Sequence, residues 1–209
     1  DLNQDGKIDR GAYTTADPGD LTVIGNETPR YCYGINLGFN WNGIGISTFW
    51  QGVGKKDWYP RYDSGFFWGQ YNRPFGYMLK QHTGDKVYRE ELDNYWPRYT
   101  TYQTHQSSVN RPLTINNDRY MQDVSYIRLK NITVDYTFPD RICKKLHIKG
   151  LKVWVSGENL WTYSPMFEHC DNYDPEVINA GDSDFRTSEG DGYSYPMLRT
   201  VTLGVNLSF

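Results

Sequence analysis

The chain opens on oxygen-bearing residues at alternate positions. Asp1, Asn3 and Asp5 are followed by Gly6 and then Asp9, in the run D-L-N-Q-D-G-K-I-D. Oxygens at the first, third, fifth and ninth positions of such a loop converge on a hard cation, and the glycine permits the sharp turn between them. Ile8 takes the place of the usual inward apolar anchor. The expected ion is a structural Ca2+. The twelfth position is Ala12 rather than Glu, so a bidentate carboxylate is absent or comes from Asp17 or Asp20. The competing reading is an Asp/Asn/Gly turn without metal.

Catalytic constellations are not evident. His82, His105, His147 and His169 have no paired spacing, and Glu90, Glu91 and the acids of 168–191 fall where loops are expected. No enzyme activity is expected. Aromatics are the more promising binding residues, because Tyr and Trp offer a flat apolar face to a sugar ring and a polar edge to its hydroxyls. Trp58, Trp68, Trp96 and Trp161 are the candidate substrate contacts. The alternative is that each packs a long loop or holds a partner protein.

The elements that must carry these residues read as strands. From Tyr31 to Trp41 the residues Tyr31, Tyr33, Ile35, Leu37, Phe39 and Trp41 share one face, and Cys32, Gly34, Asn36, Gly38 and Asn40 the other. This period of two defines a strand. Its apolar face is aromatic at both ends and aliphatic between, as on a lipid-facing strand that crosses two interfacial girdles. Asn42-Gly43 is a tight turn, and Ile44–Val53 returns. Val124–Phe138 is the next strand. There Ile127 and Leu129 are out of phase with Ile132, Val134, Tyr136 and Phe138, which predicts a β-bulge near Lys130-Asn131 or an outward reach of Arg128 and Lys130. A fourth strand alternates through Leu151, Val153 and Val155. The last runs from Tyr195 to Phe209, with Met197, Val201, Leu203, Val205, Leu207 and Phe209 on one face. A closing aromatic such as Phe209 on an amphipathic strand also has the form of a barrel-assembly signal.

Composition agrees with dispersed rather than clustered apolar residues. Mean hydropathy is −0.73 while aromatics reach 16% of the chain, which separates it from disordered sequences, poor in aromatics. No run is long enough for a membrane helix. Net charge is −3 without a basic cluster, so nucleic acid is not an expected partner. The fold class predicted is all-β, an antiparallel transmembrane β-barrel of which this chain supplies about the last five strands plus long extracellular loops. A soluble β-sandwich and a passive porin-like channel are the alternatives. Connections alternate short (40–43), long (54–121), short (139–149) and long (163–194), as a membrane meander requires. This topology puts Cys32 and Cys170 at the same end, where a disulfide between them is permitted, and Cys143 at the other.

Several stretches resemble a known family in order. They are D-L-N-Q-D-G-K-I-D; V-I-G-N-E-T-P-R-Y-C-Y-G-I-N-L-G-F-N-W-N-G-I-G-I-S-T-F-W-Q-G-V-G-K-K-D; S-Y-I-R-L-K-N-I-T-V-D-Y-T-F-P; L-K-V-W-V-S-G-E-N-L-W-T; D-P-E; and Y-P-M-L-R-T-V-T-L-G-V-N-L-S-F. Together they are similar to the C-terminal part of SusC/RagA-type TonB-linked outer-membrane proteins of Bacteroidetes. The resemblance implies a larger barrel with a plug domain, residues 1–209 being its C-terminal segment. It implies location in the outer membrane of a Gram-negative bacterium, and energised import of glycans, or of peptides, through TonB. It also implies a SusD-like surface lipoprotein as partner and insertion by the barrel-assembly machinery. The chain opens inside a motif, at Asp1, and reads as a piece of a longer one.

Overall fold

The computed structural model describes residues 1–59, 95, 117–178 and 195–209. Five strands form one antiparallel sheet. They are β1 (Cys32–Trp41), β2 (Ile44–Val53), β5 (Tyr126–Thr137), β6 (Gly150–Tyr163) and β7 (Thr200–Ser208), in the order β1-β2-β5-β6-β7. A second, two-stranded sheet pairs β3 (Asp57–Trp58) with β4 (Gln122–Asp123). A short helix, α1 (Asp140–Lys145), lies in the β5–β6 connection. No helix among the described residues is long and apolar enough to cross a membrane, which says nothing of a β-barrel.

The register aligns like with like across the sheet. Leu37, Thr48, Ile132, Gly157 and Val201 form one row, and Gly38, Ser47, Thr133, Ser156 and Thr202 the next. Alternate rows therefore build an apolar face and a polar face. The apolar face is bare: Leu37 is 60% exposed, Val201 67% and Leu203 79%. A patch of this extent is not stable against water, and it suits hydrocarbon. On the polar face Thr133 donates to Ser156 Oγ at 3.2 Å and to Asn131 Oδ1 at 3.1 Å.

Local sequence explains the pairing. Asn42 and Gly43 both take positive φ, 47° and 87°, the mirror-image turn that matches strand twist. The phase break in β5 is a bulge. Phe49 and Trp50 of β2 face Asn131 and Leu129, so Lys130 is the extra residue. The bulge returns Ile127 and Leu129 to the apolar face and turns Arg128 and Lys130 inward, so the outward reach considered for those two cations does not occur. Between β5 and β6 the register shifts again, with Asn159 at φ 52°. β7 begins at Thr200, later than the alternation predicted, and 195–199 run outside the strand.

The Asn42-Gly43 turn and α1 lie at one end of the sheet. The long connections emerge at the other. The N-terminal stretch joins that second end: Asp57 N donates to Asn26 O at 2.9 Å, Asn26 N donates to Asp57 Oδ2 at 2.8 Å, and Arg30 N donates to Lys55 O at 2.9 Å. The compact core sits there too, outside the sheet. Trp58, Tyr59, Tyr120, Val124, Met166, Cys170, Tyr173 and Ile178 make one buried cluster, a cap over the end of the wall.

Candidate functional site

The cap is assembled from segments far apart in sequence. β3 and β4 bring residues 57–59 against 120–124. A 3-10 turn over Pro165–Glu168, capped by Ser164 Oγ accepting from Met166 N at 3.3 Å, brings in Met166 and Cys170. Trp58 packs edge-to-face on Tyr173, with centroids 5.4 Å apart, and Tyr95 stacks on His169 at 3.5 Å. Gln122 Nε2 donates to the Tyr95 hydroxyl at 2.6 Å. Burial pushes the Tyr95 phenol up to about 12 and raises Tyr59 further, because a phenolate there loses its hydration. The buried Lys56 ammonium is pushed down by the same desolvation, against the pull of Glu27; its Nζ donates to Ile178 O.

A charged hub fastens this cap to the wall. Arg128, on the polar face of β5 and 3% exposed, donates through Nη2 to Asp174 and through Nη1 to Glu176 at 2.5 Å. Its Nε donates to Thr162 Oγ1 of β6 at 2.8 Å. Lys130, placed by the bulge, reaches Glu176 at 2.8 Å. Asp174 Oδ2 also accepts from Met197 N at 2.9 Å, which ties down the approach to β7. Two cations and two carboxylates thus balance, with all five Arg128 donor directions governed by a planar fork suited to paired carboxylates. The D-P-E run supplies both acids.

Beside the hub lies a cavity of about 510 Å³, between 171–175 and 195–199, with Arg128, Asn159 and Thr162 at its base.

The candidates read from sequence fare differently. Trp58 is 3% exposed inside the cap cluster and presents no face to a ligand. Trp161 is placed in the wall, because β6 continues to Tyr163. Opposite Leu129, it stands on the apolar face and packs edge-to-face on Trp50 at 5.9 Å. Trp68 and Trp96 lie outside the described residues. The disulfide reading is corrected. Neither Cys32 nor Cys170 is in a disulfide: Cys32 is exposed at the start of β1, whereas Cys170 is buried in the cap. Phe209 is 80% exposed beyond β7, in phase with the apolar face. The Arg128 hub escaped sequence reading, although R-L-K and D-P-E were both visible.

In the N-terminal loop the acidic oxygens hold backbone. Asp1 accepts from Asp5 N at 3.1 Å and Gly6 N at 2.9 Å, Asn3 Oδ1 from Asp5 N, and Asp9 from Gly11 N at 2.8 Å. Asp20 accepts from Leu2 N and Asp9 N, and these bonds, Asp9 first, hold its carboxyl below the usual range. Among the described residues no group of three His, Cys, Asp or Glu is arranged to hold a metal. Each carboxylate oxygen keeps a second lone pair, so the donor chemistry still fits a hard cation.

No protein-family model matches the chain. TonB-dependent receptor P3 of Formosa agariphila is 28% identical over 217 residues, spanning 100% of this chain and 18% of the relative. TonB-dependent receptor P26 of the same organism is 25% identical over 198 residues, spanning 91% and 18%. Among solved structures, the RagAB peptide transporter superposes with a TM-score of 0.55 at 20% identity, over 90% of this chain and 18% of that one. The RagAB peptide importer in its closed-closed state gives 0.53 at 20%, over 98% and 20%. The chain is thus similar from end to end to TonB-dependent receptors, of which it spans about a fifth. The resemblance read from the motifs is borne out, as are the antiparallel β-barrel fold and the outer-membrane setting.

Proposed function

We propose that these residues are the C-terminal wall and outer cap of a TonB-dependent outer-membrane importer of oligosaccharides. One observation carries the reading. A five-strand meander with a bare apolar face and both long connections at one end is combined with similarity, over the whole of this chain, to about a fifth of a TonB-dependent receptor. In this reading the plug and the contact with TonB belong to other parts of the protein, a SusD-like lipoprotein sits over the capped end, and Phe209 is read by the barrel-assembly machinery. In this reading the wall and cap hold and orient. Trp68 and Trp96 remain the proposed substrate contacts.

Peptide cargo is the second reading, favoured by the likeness in fold to the RagAB peptide transporter and peptide importer. The test is uptake of labelled oligosaccharides and labelled peptides by cells carrying the full-length protein, with and without TonB. TonB-dependent oligosaccharide uptake is expected. TonB-dependent uptake of peptides alone would replace the cargo, and uptake indifferent to TonB would make the protein a passive channel.

We also propose that Asp1, Asn3, Asp5 and Asp9 bind one structural Ca2+, with Asp20 closing the loop. Calorimetric titration of the chelator-treated protein should give one saturable site, lost in Asp5→Ala. No heat of binding above buffer would assign the loop to the metal-free turn.

A further inference from the structure

We infer that the cavity beside the Arg128 hub is a preformed subsite for one unit of a neutral, hydroxyl-rich ligand, a saccharide residue. The inference rests on the import reading above and adds a place and a chemistry to it. The volume, about 510 Å³, suits a small ligand unit. Its walls are held before any ligand arrives. Asp174 accepts from Arg128 on one side and from Met197 N on the other, so the 171–175 and 195–199 segments are pinned to each other and to β5.

The lining has the polarity of a sugar site. At the base, Asn159 Nδ2 donates to Leu198 O at 3.0 Å, which fixes the amide. Its Oδ1 is buried and accepts no hydrogen bond among the described residues. That oxygen is closed to solvent, so Asn159 shapes the base of the cavity and the rim makes the ligand contacts. Arg199 lines the rim and makes no ion pair among the described residues, so its donors are available to ring or hydroxyl oxygens. Tyr195, 78% exposed, supplies an aromatic face at the mouth, with Tyr173 behind. Charge decides against an ionic ligand. The acids of the hub are already matched by Arg128 and Lys130, and the remaining lining charges, Asp171 and Arg199, are of opposite sign.

The experiment uses the full-length protein purified in detergent. Neutral tetra- to hexasaccharides and, in parallel, tetra- to hexapeptides are the probes, with binding measured calorimetrically. Tyr195→Ala and Arg199→Gln alter the rim without touching the hub; Tyr13→Ala, on the exposed N-terminal loop, is the control. The expected result is saccharide binding weakened about tenfold by each rim variant, the loss of one stacking or charge-assisted contact, and unchanged by the control. Equal saccharide affinity in wild type and both rim variants would overturn the subsite and leave oligosaccharide import standing. Peptide binding without saccharide binding would overturn the ligand class here and the cargo above together. Binding of neither panel would reject the subsite, and TonB-dependent uptake would then decide the import reading separately.

Discussion

At the scale of single residues, Arg128 carries the largest consequence. Its guanidinium is enclosed by the side chains it binds, so truncation strands Asp174 and Glu176 as buried, unmatched charges. Arg128→Ala is expected to cost roughly 3–5 kcal/mol of cap docking. Limited proteolysis should then cut within 164–178 at rates the wild type does not show; unchanged protection would place the cap's hold elsewhere. Lys130 lies 46 residues from Glu176 in sequence and reaches it because the bulge redirects it. Neither pairing can be read from one sequence, since R-L-K and D-P-E are distant and nothing local joins them. The tyrosines of the cap give a second expectation. Tyr59 and Tyr95 titrate higher folded than unfolded, so their contribution is complete below about 10 and is lost as pH rises through the folded values, for Tyr95 up to about 12. The near-ultraviolet dichroism of the cap should fade over that alkaline window, and later in Gln122→Ala, because the amide that donates to the Tyr95 hydroxyl favours its phenolate.

At the scale of elements, strand phase was legible and strand ends were not. β1 and β2 lie where alternation put them, because nothing interrupts their period of two. β5 was legible through its fault: a phase break with apolar residues on both sides of it is the signature of one extra residue. In β6 the alternation is legible only as far as Val155, because Gly157, Glu158 and Asn159 end it, while the backbone continues through a left-handed Asn159 to Tyr163. That extension carries Trp161 onto the wall, where it packs on Trp50. β7 was read long, since Met197 continues the apolar phase although its amide is committed to Asp174. Close packing across strands makes one more prediction. Trp154 lies over Gly204 on the polar face, and a Cβ at 204 would fall inside the indole. Gly204→Val should displace Trp154 and lower the yield of folded barrel severalfold, as measured by heat-modifiable mobility on gels; normal folding would show that the indole is free to move aside.

At the scale of the whole molecule, the sheet ends on two edges, β1 and β7, and neither is covered among the described residues. Such edges are satisfied by further strands and not by lipid, which agrees with a chain spanning about a fifth of its relatives. Phe209→Ala, if the assembly reading holds, reduces insertion in vivo without altering refolding in detergent. Equal insertion of variant and wild type would remove that role. The wall also has a use that its biology does not require. Trp50 and Trp161 meet at 5.9 Å and 72° only when β2 and β6 are both seated on β5. Two indoles so placed share their electronic excitation, and a coupled pair gives a paired positive and negative band in circular dichroism where isolated indoles do not. The barrel therefore carries its own optical gauge of strand closure, one that Trp50→Phe should silence while ordinary tryptophan emission persists.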